Sequence, residues 1–339
     1  MNARLRPRTT DDMPRLGFLG LGWIGGQRMQ VLADSGAAAV VAIADPNPEA
    51  RARAAAHAPD ARCCDDLEAL LDGNDLDGVV IATPSGAHAQ QAIAALERGL
   101  AVFCQKPLTR TAAESARVLE AAQRADRPLG VDFSYRAMAG VSELRGHVRE
   151  GALGEIYAVD LVFHNAYGPD KAWFYDLAQS GGGCVMDLGI HLIDLAQWIC
   201  GSSGHEALVA ELYAHGRHMQ APCDRVEDYA TAQWRMDNGA SVRMACSWRL
   251  PAGRDAVIEA AFYGTRGGAA IRNVAGSFYD FTVERFDGTA SRVLASPPDA
   301  WGGRALVDWA RRLGEGAGFD PAAMQWLQVA RTVDAIYGR

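Results

Sequence analysis

Three short stretches of the chain carry residue types that could do chemistry. The first is Gly20-Leu21-Gly22-Trp23-Ile24-Gly25, a G-x-G-x-x-G run, with Asp45 twenty positions beyond its last glycine. Placed between a strand and a helix, such a run builds a dinucleotide site. Gly20 permits a tight turn, Gly22 lets the backbone approach a pyrophosphate, and Gly25 lets the helix lie close on the strand. The free N–H groups at the helix start then face the phosphates. Asp45 can accept hydrogen bonds from ribose hydroxyls and repels a 2′-phosphate, which favours NAD over NADP; Asp45-Pro46 also reads as an incidental helix N-cap. Arg51 and Arg53, in the helix that follows, read as solvated. The second stretch, Cys104-Gln105-Lys106-Pro107, sets an amine at a strand end. The third sets Asp187 and His191 four residues apart, on one face of a helix. That helix is otherwise apolar. Its carboxylate and imidazole therefore need either a function or each other, because burying polar groups without partners is costly.

Further polar groups lie at strand ends. Thr83, Pro84, Ser85 and His88 follow an apolar run ending at Ala82, where hydroxyls could contact a cofactor. His88 is either a cofactor contact or a capping and packing residue. Tyr135 and Arg136, His164 and Asn165, and Trp173 could each reach a cleft between domains, or simply pack or be solvated. Asp194, one turn beyond His191, reads as structural.

The elements that must position these groups change character partway along the chain. Up to about residue 135, apolar runs at Leu16–Gly20, Ala39–Ala44, Gly78–Ala82, Ala101–Cys104 and Leu129–Phe133 alternate with helical stretches at Glu49–His57, His88–Arg98 and Ala112–Ala125. Continuous apolar strands alternating with helices predict a parallel sheet covered on both faces, joined by right-handed crossovers. Beyond it, a helix at Val141–Arg149 and a strand at Ile156–His164 lead to one long helix, Cys184–Ile199. Strand-like runs then follow at Ala207–Ala214, Tyr229–Met236, Ser241–Trp248, Val257–Tyr263, Ala269–Val274 and Phe278–Phe286, before helices at Arg304–Leu313 and Ala322–Ile336. Short gaps and turn signals such as Asp237-Asn238-Gly239 predict a mostly antiparallel sheet. The expected fold class is α/β: an N-terminal Rossmann dinucleotide-binding domain, 1–135, and a C-terminal α+β domain, 136–339, built on a large, mostly antiparallel open sheet.

Composition narrows the partners. A formal charge of −8 on 339 residues repels polyphosphate backbones and argues against nucleic acid. No apolar run approaches the roughly 18–20 residues that span a bilayer. Met1–Pro14 has three arginines but no apolar core, so it reads as a flexible arm and not a secretory signal. Seven cysteines, none spaced C-x-x-C, read as reduced thiols of a cytoplasmic protein, with no metal site.

Taken together, these motifs resemble the Gfo/Idh/MocA oxidoreductase family, named after glucose–fructose oxidoreductase and inositol dehydrogenase. The likeness rests on the Gly20–Gly25 loop with Asp45, Thr83-Pro84 with His88, Lys106-Pro107, and Asp187-x-x-x-His191 behind a glycine triplet, and it covers nearly the whole chain. It implies that Trp23, Ile24 and Gln105 join the cofactor site, and that Lys106, Asp187 and His191 form the substrate-side group. His191 would take the hydroxyl proton, for which an ordinary pKa of about 6.5 suits neutral pH. Lys106 would hold the reacting oxygen, and Asp187 would orient substrate hydroxyls or the imidazole. It also implies a C-terminal helix near the first domain, a sugar, cyclitol or polyol substrate, and a homodimer or homotetramer. Transient oxidation in a lyase or glycosidase, or a non-catalytic NAD sensor, would use the same fold. One departure stands out: the family's Glu-Lys-Pro reads Gln105-Lys106-Pro107, which removes a charge that would favour the lysine's ammonium. Gln105→Glu is expected to shift the pH–rate profile.

Overall fold

The apolar runs of the first half become strands whose side chains alternate between two buried faces. The computed structural model describes residues 13–73, 76–220 and 224–339. The strands are β1 (Arg15–Leu19), β2 (Ala39–Ala44), β3 (Arg62–Cys64), β4 (Gly78–Ile81), β5 (Ala101–Cys104) and β6 (Leu129–Val131), and all their pairings are parallel. Between them run α1 (Trp23–Ser35), α2 (Pro48–Ala55), α3 (Leu67–Leu71), α4 (Ser85–Glu97) and α5 (Ala112–Ala125). The sheet order β3-β2-β1-β4-β5-β6 is that of a Rossmann fold, with its switch point between β1 and β4. β3 carries only three residues, two of them cysteines, too little pattern to announce a strand.

The second half is built on nine strands: β7 (Ile156–Asn165), β8 (Glu206–Ala214), β9 (Arg217–Met219), β10 (Tyr229–Arg235), β11 (Ser241–Ser247), β12 (Ala256–Gly264), β13 (Gly268–Asn273), β14 (Phe281–Asp287) and β15 (Ala290–Ala295). Every neighbouring pair is antiparallel except β7 with β11, so the sheet is large, open and mostly antiparallel, as expected. Short β9 and largely exposed β15 form its edges and carry no alternation of buried and exposed residues. Its helices are α6 (Val141–Arg149), α7 (Leu177–Ser180) and α8 (Ile190–Cys200), followed at the chain end by α9 (Arg304–Gly314) and α10 (Gln325–Tyr337).

The chain end returns to the first sheet. Trp309 of α9 is fully buried against Phe103 of β5, ring centroids 5.6 Å apart, and with Leu306 and Ala310 it covers the face that Leu16 and Phe18 present. Burial of each such large side chain contributes roughly 1.5–3 kcal/mol.

The long helix expected at Cys184–Ile199 is instead a wide π turn, Val185–Gly189, that runs into α8. By length and hydropathy Leu177–Cys200 could cross a membrane, contrary to the expectation from apolar runs alone; 78% of that window is buried inside the protein, which is the mark of a core helix. The N-terminal arm, apart from its last two residues, and Cys223 lie outside the described residues.

Candidate active site

At the carboxyl ends of β1, β2, β4, β5 and β6 opens a cavity of about 1100 Å³. It exceeds the several hundred Å³ typical of a single small ligand. Its floor is the glycine loop. Gly20 has φ +89°, and a Cβ there would fall 2.5 Å from the Ala82 carbonyl oxygen. A Cβ at Gly25 would fall 2.0 Å from the Gly20 carbonyl oxygen, so only hydrogen lets α1 lie this close. At Gly22 nothing stands within 4 Å, leaving the backbone open to the cavity. Trp23 and Ile24 line it from the first turn of α1.

Asp45 ties this loop down. Its Oδ2 accepts from Leu21 N at 2.7 Å and its Oδ1 from Asn47 N at 2.8 Å, while the N-cap of α2 is Asn47. Each carboxylate oxygen keeps a second lone pair for a ligand hydroxyl. Arg51 is not solvated as expected: it donates to the Asp45 carbonyl at 2.5 Å and pairs with Asp65 at 2.9 Å. Asp45, Asp65 and Asp66 all line this end of the cavity.

The far end holds the chemistry. Lys106 Nζ, after β5, donates to Asp187 Oδ1 and to the Asp187 carbonyl, both at 2.7 Å. Asp187 Oδ2 accepts from the Trp248 indole at 3.1 Å. His191 lies nearly flat against Tyr135, centroids 4.9 Å apart. Lys106, Asp187, His191, Tyr135 and Trp173 all line the cavity that the glycine loop floors. Asp187 and His191 share no hydrogen bond: Asp187 Oδ1 faces the Lys106 ammonium and Oδ2 the Trp248 indole. The expectation that Asp187 might orient the imidazole does not hold in this geometry.

The environment of His191 also departs from expectation. Burial, then the charges of Lys106 and Arg28, hold its pKa well below 6.5. Its Nδ1 is buried with no partner. The ring is neutral at neutral pH, and only Nε2 is free to meet a ligand.

Other predicted site residues fall on either side of the cavity wall. Thr83, Pro84, Ser85 and Gln105 line it, and Thr83 Oγ1 donates to Gln91 at 2.6 Å. His88 does not: it is 1% exposed, with Nδ1 2.8 Å from the Pro107 carbonyl and Nε2 2.8 Å from the Thr83 carbonyl. It brackets the two loops together, which makes packing the correct alternative. Burial lowers its pKa although both carbonyls pull the other way. Arg136 turns away into a bidentate pair with Asp194, at 2.7 and 2.5 Å, because that buried carboxylate needs a cation. His164 faces Ser247 Oγ at 2.8 Å and Tyr229, also off the cavity. Asn165 spends its side-chain oxygen on Tyr167 N at 2.7 Å.

Several cleft residues carried too little sequence signal to be picked out. Asp132, 1% exposed at the end of β6, accepts on Oδ2 from Arg28 Nε at 2.6 Å and Gln105 Nε2 at 2.7 Å, while its Oδ1 has no partner. An acid closing an apolar strand was the available clue. Lys171 and the aromatic side chains of Phe174, Tyr279 and Trp301 also line the cavity.

The strand order, the open glycine cradle and the tethered acid define a dinucleotide-binding domain. The family description "Oxidoreductase family, NAD-binding Rossmann fold" matches residues 15–133, and "GFO/IDH/MocA C-terminal domain" matches residues 141–270. The chain belongs to the Gfo/Idh/MocA oxidoreductase family, and its first domain is that family's NAD-binding Rossmann fold. Inositol 2-dehydrogenase of Leifsonia xyli subsp. xyli is 32% identical over 256 residues, covering 75% of this chain and 72% of that one. The rhizopine catabolism protein MocA of Rhizobium meliloti is 29% identical over 187 residues, 55% of this chain. The chain spans 57% of the length of that MocA protein and 63% of a levoglucosan dehydrogenase of Pseudarthrobacter phenanthrenivorans. A solved levoglucosan dehydrogenase, in complex with NADH and levoglucosan, superposes with a TM-score of 0.82 at 25% identity, covering 96% of each chain.

Proposed function

We propose that this protein reversibly oxidises a hydroxyl-bearing carbon of a sugar, cyclitol or related polyol, with NAD(H) as hydride carrier. The observation that carries this is the convergence of Lys106 and His191, from separate stretches of chain, on the cavity floored by the glycine loop. Bound NAD supplies the hydride acceptor in oxidation and the donor, as NADH, in reduction. The loop amides and Asp45 would hold it, and the acids at that end would disfavour a 2′-phosphate.

Lys106 has three ammonium hydrogens and Asp187 engages two, leaving one for the reacting oxygen. That hydrogen stabilises the negative charge that develops as the hydroxyl loses its proton. His191, neutral, takes the proton on Nε2 and returns it in reduction. Asp187 fixes the ammonium, and Trp248 fixes Asp187. Relatives named for inositol, levoglucosan and D-apiose point to ring substrates. Trp173, on the cavity wall, suits the C–H face of such a ring. The division of labour falls near residue 135, with the cofactor contacts and Lys106 before it and the other substrate contacts and the subunit contacts after it. The described cysteines are all free thiols, which suits a cytoplasmic enzyme. Tyr157, Val209 and Val293, exposed on the nine-stranded sheet, suit a homodimer or homotetramer.

The test is NADH formation with myo-inositol, levoglucosan, D-apiose and glucosides. Lys106→Met and His191→Ala are expected to lose turnover by about 10²-fold or more and still bind NADH. Turnover unaffected by His191→Ala overturns the proposal. Product without net NADH would instead assign transient oxidation.

A further inference from the structure

The glycine triplet Gly181-Gly182-Gly183 has no part in the chemistry just described, yet it opens the helical run that carries Asp187 and His191. A helix start leaves its first four amides without partners inside the helix. Here two residues distant in sequence meet all four. Gly183 N donates to Glu227 Oε2 at 2.9 Å, Cys184 N to the Glu227 carbonyl at 3.1 Å, and Val185 N to Glu227 Oε1 at 2.8 Å. Met186 N donates to the Tyr337 hydroxyl at 3.2 Å, and that hydroxyl donates to Glu227 Oε1 at 2.9 Å. The next residue is Asp187, whose own N–H makes the first helical bond, to Gly183 O at 3.0 Å.

Gly182 and Gly183 lack side chains because this cap presses on them. A Cβ at Gly182 would fall 2.1 Å from the Tyr337 hydroxyl, and one at Gly183 would fall 1.9 Å from the Glu227 carbonyl oxygen. Glu227 is 0% exposed, so water cannot take over its bonds, and its side-chain hydrogen-bond partners are all neutral. A carboxylate at this position also meets the positive end of the helix dipole. The single wide turn between the cap and α8 fixes where Asp187 and His191 point. Wide turns of this kind are uncommon and cluster at functional sites.

We infer that Glu227, assisted by Tyr337, is a positioning residue for the reaction: it holds the wide turn that aims Asp187 at Lys106 and His191 into the cleft. The inference rests on the catalytic roles proposed for those two residues. Glu227→Gln keeps the shape but sets an amide N–H against a backbone N–H. In that variant kcat on the best polyol of the panel is expected to fall about 10²-fold, because small misplacements of reacting groups cost that much. The NADH dissociation constant, read by fluorescence, stays within about twofold, since the glycine loop is untouched. Tyr337→Phe, which loses only the hydroxyl, falls about tenfold. The His191 ring resonances of the NADH-bound enzyme move in both variants. A merely structural role would lower Tm, leaving kcat and those resonances unchanged when measured well below Tm. That outcome in Glu227→Gln overturns the inference; should Glu227→Gln not fold, the same outcome in Tyr337→Phe does so. Full turnover in Asp187→Asn and His191→Ala would instead sink the reading of the site itself.

Discussion

Alanine placed in turn at each glycine of the loop separates folding from cofactor binding, because the three positions meet different surroundings. At Gly25 the added methyl would lie 2.0 Å from the Gly20 carbonyl oxygen and 3.2 Å from Ala82 Cβ, so α1 must lift off β1. Overpacking costs about 1–3 kcal/mol, and a clash with backbone belongs at the upper end. At Gly20 a contact of 2.5 Å adds to a φ of +89°, a left-handed region that alone costs an L residue roughly 1–2 kcal/mol. Gly22, with φ −61° and ψ −173°, is in a conformation alanine adopts freely, with open space around it. Gly22→Ala should therefore change stability by no more than about 0.5 kcal/mol. Its methyl nevertheless occupies the space where the pyrophosphate must approach. Losing two hydrogen bonds to that charged group, at about 1.5 kcal/mol each, weakens binding by about 3 kcal/mol, or about 10²-fold. Thermal melts without cofactor, run beside NADH titrations, read both quantities on one sample. Gly25→Ala and Gly20→Ala are expected to lower Tm by several degrees; Gly22→Ala is expected to leave Tm within about 2 °C and lose the affinity. If Gly22→Ala binds NADH like the parent, no phosphate lies over residue 22 and the cradle argument fails.

Asp45→Ala removes the acid that both anchors Leu21 N and faces the ligand; NADH affinity should fall about tenfold and preference over NADPH should narrow, which paired titrations check. Since burial depresses the His191 pKa, the acceptor form persists below pH 6.5, and the acid limb of kcat/KM for oxidation should lie there. A limb at or above pH 7 would mean the imidazolium has a partner that this geometry lacks. The same sign governs stability. His88, His164 and His191 have lowered folded-state values, so the unfolded chain binds more protons; stability is fully present above pH 6.5 and is lost as pH falls, by up to about 1.4 kcal/mol per pH unit for each ring in its window. Gln105→Glu puts a second carboxylate beside Asp132, in place of an amide now 2.7 Å away. One of the two must then hold a proton, so its pKa rises and the variant is as stable as the parent only at low pH. It should lose about 3 kcal/mol as pH rises through that value, visible as a falling Tm between acid and alkaline buffers.

What the sequence conveys well is whatever the local chain geometry fixes. The glycine loop, Asp45 and Lys106 each sit within a residue or two of a strand end, so an apolar run locates them without knowledge of the rest. Arg136 follows β6, and His164 and Asn165 close β7, so by that rule they belong in the cleft. Two leave it for distant partners, Asp194 across 58 positions and Ser247 across 83, and Asn165 for the Tyr167 amide two residues on. His88 is captured by two carbonyls, 5 and 19 residues away, that no spacing rule brings together. The wide turn at Val185–Gly189 is illegible for the same reason. Its cause, Glu227 and Tyr337, lies over 40 and 150 residues downstream of the helix it caps.

The same logic explains the departure at Gln105. A glutamate there would suit a cleft in which Lys106 lacked other anionic company. In this chain the ammonium already holds Asp187, and the wall behind it already contains Asp132, whose charge is matched by buried Arg28 at 2.6 Å. A neutral amide is the residue type that can donate to Asp132 Oδ2, 1% exposed, without adding charge to a buried wall. Positions 28, 105 and 132 are therefore one electrostatic unit: changing any one alone leaves a buried charge without its counterpart or a donor without its acceptor. Gln105→Glu with Asp132→Asn restores one carboxylate and one amide between the same two positions. It should recover most of the stability that Gln105→Glu loses at alkaline pH, a coupling that a double-mutant cycle on Tm measures directly. If the two changes add independently, Gln105 and Asp132 do not share a charge, and the substitution at 105 is unrelated to the acid at the end of β6.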